Sequence, residues 1–332
     1  MLGWGTRSNC TIVPPASVKN FRQVAPRDVS TKQTLQALRQ VANIRDLAEA
    51  CPQVQPGRVL RSACPASASP EDVHALRSNL GITHLVDLRS DYERKLDQRF
   101  LLLENADGLR SVRRRGRAEM ETFMKPAGGE NGAQRLTVLH ISLLERLRYY
   151  RGLLKRMPLA QAVQVFLMNF YNPLEAKATI LREINRGGLP ELYQVILETS
   201  RPEICCALQE ITEAVAADKR VLFFCKIGKD RTGLIAALIL SVCGASDNEI
   251  ISDYTRSDNV EQVALGGIEK ENLSAIDAAM FSRAPPEAMA TVLRYCRQVY
   301  GGVSEFLESI GFSKAEQARL RRALTKAADA AL

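Results

Sequence analysis

Apolar positions along the chain change period several times, and each change marks an element. Arg58-Val59-Leu60-Arg61 alternates and predicts a strand, and Ile82 to Leu88, Thr137 to Ile141 and Val221 to Phe224 are short apolar runs of strand length. Ser69-Pro70-Glu71-Asp72 joins an N-cap, a proline at the first helical position and an acid three residues on, so a helix is expected to about Asn79. After Ile141 the period becomes helical. Helices are predicted over about Leu143 to Met157, Leu159 to Tyr171, Leu174 to Asn185 and Pro190 to Glu198, punctuated by Pro158, Pro173 and Gly187-Gly188. Ile204, Leu208, Ile211 and Val215 form a core-facing stripe directly before the Val221 strand. Beyond Gly244, capping boxes at Ser246 to Glu249 and Ser313 to Glu316, and the spacing of Met289, Leu293, Cys296 and Tyr300, mark further helices. Strands alternating with helices predict one α/β domain over residues 34–332, a central sheet with helices on both faces.

Two stretches break the pattern. Residues 1–33 lack periodicity, hold Pro14-Pro15 and Pro26, and set Arg7, Lys19, Arg22 and Arg27 against Asp28. They read as a flexible leader of a cytoplasmic protein or as a transit segment to a plastid or mitochondrion. Residues 105–132, with Arg110, Arg113, Arg114, Arg115 and Arg117 followed by Gly128-Gly129-Glu130-Asn131-Gly132, predict a loop. The cluster Arg110 to Arg117 is either a solvated run or a contact for an anionic surface.

The net charge of +8 favours a partner carrying negative charge: phosphorylated protein, anionic lipid or nucleic acid. Zinc-finger spacing, an aromatic RNP-like strand and a basic heptad helix are all missing from the sequence, which argues against nucleic acid. The eight cysteines include no C-x-x-C pair, so a reducing compartment is expected and no metal site.

The chemistry is concentrated between Val221 and Cys243. A buried strand ends at Phe224, a polar loop runs from Cys225 to Arg231, and an apolar helix follows from Leu234. Backbone N–H groups of such a loop can converge on one centre with those of the helix N-terminus, which attracts an anion and favours a thiolate nucleophile at Cys225. Arg231 supplies a planar fork for two phosphoryl oxygens, whereas Lys226 and Lys229 act as point charges. Lys226, Ile227, Gly228 and Lys229 lend their amides. Gly228 allows the turn, Gly233 allows close helix packing, and Thr232 can donate its hydroxyl to sulfur. Four charges interrupt the apolar flanks, so the segment is no membrane span. Asp87, Arg89 and Asp91, at the carboxyl end of the Ile82 strand, are expected near the same crevice.

Cys225-Lys-Ile-Gly-Lys-Asp-Arg-Thr-Gly233 resembles the loop of the protein tyrosine phosphatase superfamily, in particular tyrosine phosphatases related to the secreted bacterial virulence type. The resemblance extends to Asn43 to Leu47, Pro56 to Ala63, Leu80 to Ile82, Asp87 to Arg94, Ile250 to Ser257 and Tyr300 to Val303, about three quarters of the chain. One position departs: the His that the family places before the nucleophile is Phe224 here. The resemblance implies the Cys-x5-Arg phosphatase fold with a mostly parallel sheet, an insertion over 105–132 and a helical lid over 142–200. It implies a phosphocysteine intermediate at Cys225, transition-state binding by Arg231 and general-acid catalysis by Asp230, with Asp87 as second choice, and no cofactor. Phosphotyrosine is the expected substrate, with phosphoserine, phosphothreonine or phosphoinositide as further ones. Lys226 and Lys229 suit a second phosphate; alternatively Lys229 braces the loop against Asp87 or Asp91. The contrasting expectation, motivated by Phe224, is a phosphate-recognition module without turnover.

Overall fold

The computed structural model describes residues 31–96, 102, 109–115, 118–125, 135–144, 146–258 and 282–325. Strands β1 (Arg45–Asp46), β2 (Val59–Ser62), β3 (Ile82–Asp87), β4 (Leu109–Arg115), β5 (Ala118–Lys125), β6 (Leu136–Ile141) and β7 (Arg220–Phe224) form one sheet in the order β1-β2-β7-β3-β6-β4-β5. The pairs from β2 through β7, β3 and β6 to β4 are parallel, and only the two outer pairs are antiparallel. A parallel sheet needs cover on both faces, and the side-chain alternation supplies two cores. Val59, Val86, Leu139, Val221 and Phe223 join one apolar cluster, whereas Leu60, Leu85, Val138, Leu222 and Phe224 join the other.

The helices are α1 (Thr31–Ala37), α2 (Pro70–His74), α3 (Asp91–Leu96), α4 (Arg146–Arg156), α5 (Leu159–Tyr171), α6 (Pro173–Thr199), α7 (Arg201–Ala216), α8 (Asp230–Val242), α9 (Asp247–Thr255), α10 (Pro286–Tyr300), α11 (Val303–Ser309) and α12 (Lys314–Leu324). Leu35 of α1 and Val73 of α2 cover the second core, while α7, α8 and α10 to α12 fill the first. Every residue of α8 from Arg231 to Leu240 is buried, as expected of a helix walled in on all sides. The capping boxes at Ser69, Ser246 and Ser313 are all formed.

One expectation is corrected. Residues 109–115 and 118–125 are not loop: β4 and β5 pair antiparallel, and β4 also pairs with β6. Arginine-rich strands at a sheet margin satisfy their backbone through the ladder and discourage edge-to-edge association, so low hydrophobicity there does not forbid a strand. Arg117 and Gly128 to Gly132 lie outside the described residues, as does the expected leader apart from the start of α1. The two helices expected over Leu174 to Asn185 and Pro190 to Glu198 are both present, as two arms of α6 separated at the predicted punctuation by the non-helical backbone of Gly188 at φ 62°.

Candidate active site

The loop from Cys225 to Lys229 leaves β7 in the middle of the sheet and enters α8 at Asp230. Three consecutive loop carbonyls are tied to the surrounding frame. Cys64 N donates to Lys226 O at 3.0 Å, Asn43 Nδ2 donates to Ile227 O at 3.0 Å, and Arg61 Nη2 donates to Gly228 O at 2.8 Å. Because C=O and N–H point in opposite directions across a trans peptide, the N–H groups of Ile227, Gly228 and Lys229 face away from those anchors. Successive amides turned to one side make an anion-binding concavity. Gly228 is required for this path: its φ is +70°, and a Cβ would stand 2.4 Å from the backbone of Ser62.

The Arg61 anchor is itself held. Arg61 Nη1 meets Asp253 Oδ2 at 2.5 Å and Arg45 Nε meets Asp253 Oδ1 at 2.6 Å, with all three side chains at most 3% exposed. Burial alone would raise the Asp253 carboxyl; the two guanidiniums outweigh it and hold the group below its usual value. The motif Arg61…Asp253 thus links β2, α9 and the loop, a connection that neither stretch announces alone.

Arg231 sits in the first turn of α8 and is gripped end-on by Glu93 of α3, Nη1 to Oε2 at 2.5 Å and Nη2 to Oε1 at 2.6 Å. Ser90 N and Oγ donate to the same carboxylate at 2.8 and 2.7 Å. Burial would raise the Glu93 carboxyl, but Arg231 and Ser90 together bring it down to about 2, while Glu93 in turn raises Arg231 against the effect of burial. A guanidinium has five N–H donors, so two bonds to Glu93 leave three for an anion beside the loop.

Cys225 is buried at the head of this loop, on the Val221 and Phe223 side of the strand. Phe224 points to the opposite core, where the Arg89 guanidinium stands 5.6 Å from its ring centroid. Strand alternation therefore carries the Phe224 departure away from the sulfur's side of the sheet. Thr232 is fully buried and its hydroxyl has no hydrogen-bond partner among the described residues, so the expected bond to sulfur is not made.

Asp230 is 22% exposed at the opening of α8, where the helix dipole favours an anion. Its Oδ1 accepts from Tyr193 Oη at 2.6 Å and lies 3.0 Å from Lys229 Nζ. Tyr193 comes from the second arm of α6 and also meets Tyr254 Oη at 2.7 Å. Burial, then Asp230 and Tyr254, push the Tyr193 phenol well above its usual value, so it remains a proton donor to the carboxylate.

The remaining expected residues divide. Lys226 and Ile227 are half-buried on the loop. Gly233 lies under Tyr254, whose Cδ2 a Cβ would approach to 3.2 Å. Lys229 does not present its charge outward: it is fully buried, donating to Arg283 O at 3.0 Å beside Asp230. Its bracing partner is thus Asp230, not Asp87 or Asp91. Asp87 is fully buried under Arg89, at 2.9 and 2.8 Å, with His140 Nδ1 3.4 Å away. Burial would raise its carboxyl; His140 and Arg89 hold it well below the usual range, so it is a poor proton donor and not a second acid. Asp91 is half-exposed and pairs with Arg113 and Arg94. Glu93, Arg61, Asp253 and Tyr254 lie within stretches that carry the family resemblance and Tyr193 within a predicted helix, and the sequence alone assigns none of them a role in the site.

Comparison with known proteins gives the family. The tyrosine phosphatase family matches residues 36–326. A tyrosine-protein phosphatase of Nostoc commune is 32% identical over 149 residues, 42% of this chain and 50% of the relative. The triple specificity protein phosphatase PtpB of Mycobacterium tuberculosis is 30% identical over 133 residues, 36% of this chain and 48% of the relative. The chain thus spans about half the length of these curated relatives, while the family match runs from α1 to the end of α12: this chain belongs to the tyrosine phosphatase family.

Proposed function

We propose that the chain hydrolyses phosphate monoesters, phosphotyrosine first among them, through a phosphocysteine. The Cys225 thiolate attacks phosphorus as the ester P–O bond breaks; the electron pair leaves on the ester oxygen, which takes a proton from Asp230. Water then attacks phosphorus, gives its proton to Asp230, and the P–S bond breaks to return the thiolate and release phosphate. The amides of Ile227, Gly228 and Lys229 and the free N–H groups of Arg231 hold the equatorial oxygens as charge builds on them. The observation that carries this reading is the outward anchoring of three successive loop carbonyls beside an arginine fixed by Glu93.

Wild-type chain should turn over p-nitrophenyl phosphate, be inhibited by vanadate, and yield after a denaturing quench a phosphoenzyme that is labile to mild acid, as a thiophosphate ester is. Cys225→Ser should abolish turnover and leave vanadate binding within about tenfold, since serine keeps the loop amides but is not ionised at neutral pH. Vanadate binding without turnover by the wild type would leave a phosphate-recognition module instead.

Phosphoinositides are proposed as further substrates. Lys229 is buried against Asp230 and Arg283, and the half-buried Lys226 on the same loop is the cation proposed to meet a second phosphate. Lys226→Ala should lower turnover of a soluble inositol phospholipid by up to about tenfold more than that of a phosphotyrosyl peptide. Equal effects on both would restrict the substrate to protein.

A further inference from the structure

Seven of the nine exposed large apolar side chains among the described residues lie on α5 and the first turn of α6: Leu159, Val163, Phe166, Leu167, Phe170, Tyr171 and Leu174. Leu159, Val163, Phe166, Leu167 and Phe170 repeat at helical spacing and form a single stripe along α5, and Leu174 follows at the start of α6. Phe170 and Tyr171 are each 73% exposed and Leu159 is 81% exposed, so these are whole side chains in water, not edges of a core. The opposite side of α5 already has its partner: Val165 is buried, with Ala162 and Met168, against Leu153, Ala176 and Ile180 of α4 and α6. Thus α5 is apolar on two sides, and only one is covered. None of its thirteen residues is charged. A contiguous apolar surface of this kind marks an interaction site.

Charge selects the occupant. Helices α4 to α6 hold eight Lys and Arg against four Glu, half of the chain's surplus of +8. The acids are already answered: Glu175 pairs with Arg182, Glu183 with Arg186, and Glu191 and Glu198 with Arg156. Arg151 and Lys155, one turn apart on α4, are exposed and take part in no ion pair among the described residues. Two copies packed through α5 would bring the same positive surplus together in an apolar setting, which opposes the contact. An anionic bilayer meets both features, taking apolar and aromatic side chains at the acyl boundary and basic ones at the headgroups. At thirteen residues α5 is too short to span a bilayer, which needs about twenty, so it would lie in the interface. It packs on α6 and lightly on α4, away from the sheet.

We propose that the uncovered face of α5, from Leu159 to Phe170, together with Leu174 at the start of α6, is a docking surface for an anionic lipid bilayer, with Arg151 and Lys155 contributing the headgroup contacts. This goes beyond the phosphatase reading and does not depend on it.

The test uses the full chain and sedimentation with vesicles of phosphatidylcholine alone or mixed with phosphatidylserine at roughly 2:1. Binding should be strong to the mixed vesicles, weak to the neutral ones, and reduced by salt. Phe166→Ser with Phe170→Ser should weaken it at least about tenfold, and Arg151→Ala with Lys155→Ala should weaken it on mixed vesicles only. Both rings are exposed, so the thermal midpoint should not fall; if it does, Leu159→Ser with Leu174→Ser serves in their place. Failure of the wild type to bind mixed vesicles, or equal binding by the serine variants, overturns the proposal. So does a wild-type dimer in analytical ultracentrifugation that the serine variants convert to monomer, because a second copy would then cover the face.

Discussion

Glu93 and Arg231, 138 residues apart in sequence, meet through two hydrogen bonds of 2.5 and 2.6 Å, and this pair fixes the guanidinium beside the loop. An arginine on a flexible stem would otherwise lose rotamer freedom each time it received an anion. Glu93→Gln keeps the shape but replaces a charged acceptor with an amide whose N–H₂ faces the guanidinium. The expected result is a fall in kcat of at least about tenfold, or about 1.4 kcal/mol, on p-nitrophenyl phosphate, with a smaller change in KM. Wild-type kcat in the variant would assign the orientation of Arg231 to other contacts.

The same pair makes stability depend on acid. The Glu93 carboxyl titrates at about 2 in the folded chain against 4.5 unperturbed, and Asp87 is held low in the same sense. A depressed folded value means stabilisation that is complete above about pH 4.5 and lost as pH falls through about 2. For Glu93 alone the upper bound is on the order of 3 kcal/mol. Denaturant midpoints should therefore be level from neutral pH to about 5 and fall steadily below it. Glu93→Gln should start lower and fall less; a parallel fall in both proteins would place the acid sensitivity elsewhere.

The loop and the sheet's central strands were legible because their signals are local: an apolar run, Gly-Lys-Asp-Arg-Thr-Gly, and an apolar helix follow one another within about 20 residues. The supports were not legible, because each is a contact across the fold. Arg61 lies 167 residues from Gly228, and Tyr193 37 from Asp230. A polar pattern also hid the β4–β5 pair, where only ladder partners reveal that Arg110 to Arg115 is a strand. Lys229 shows the opposite error: an ionised side chain in a polar loop suggests exposure, yet it is buried because Arg283 O and Asp230 stand where its ammonium ends.

Arg61 should behave as a part of the loop despite lying on β2. Arg61→Met removes the donor to Gly228 O and leaves the buried Asp253 with Arg45 alone. Breaking a buried pair costs about 3–5 kcal/mol, and the remaining Arg45 argues for the lower end. The variant should unfold at lower urea and bind vanadate at least about tenfold more weakly, since the Gly228–Lys229 peptide is free to turn. Full vanadate affinity in a folded variant would mean that Cys64 N and Asn43 suffice to aim the amides.

Tyr193 offers the sharpest separation of acid catalysis from packing. Its hydroxyl lies 2.6 Å from Asp230 Oδ1 and 2.7 Å from Tyr254 Oη, so Tyr193→Phe deletes one donor and keeps the ring. If Asp230 protonates the leaving oxygen, Asp230→Asn should cost about 10²-fold on an alkyl phosphate or phosphoserine, where the leaving group is poor, and much less on p-nitrophenyl phosphate. Tyr193→Phe should follow the same pattern at smaller amplitude, about threefold to tenfold on poor leaving groups, because Lys229 Nζ at 3.0 Å still holds Oδ1 in place. A role limited to packing predicts something different: rates on both classes of ester fall by one common factor, and the Tyr193→Phe effect persists unchanged in an Asp230→Asn background. The double variant decides the matter, since two groups acting through one proton transfer are not additive.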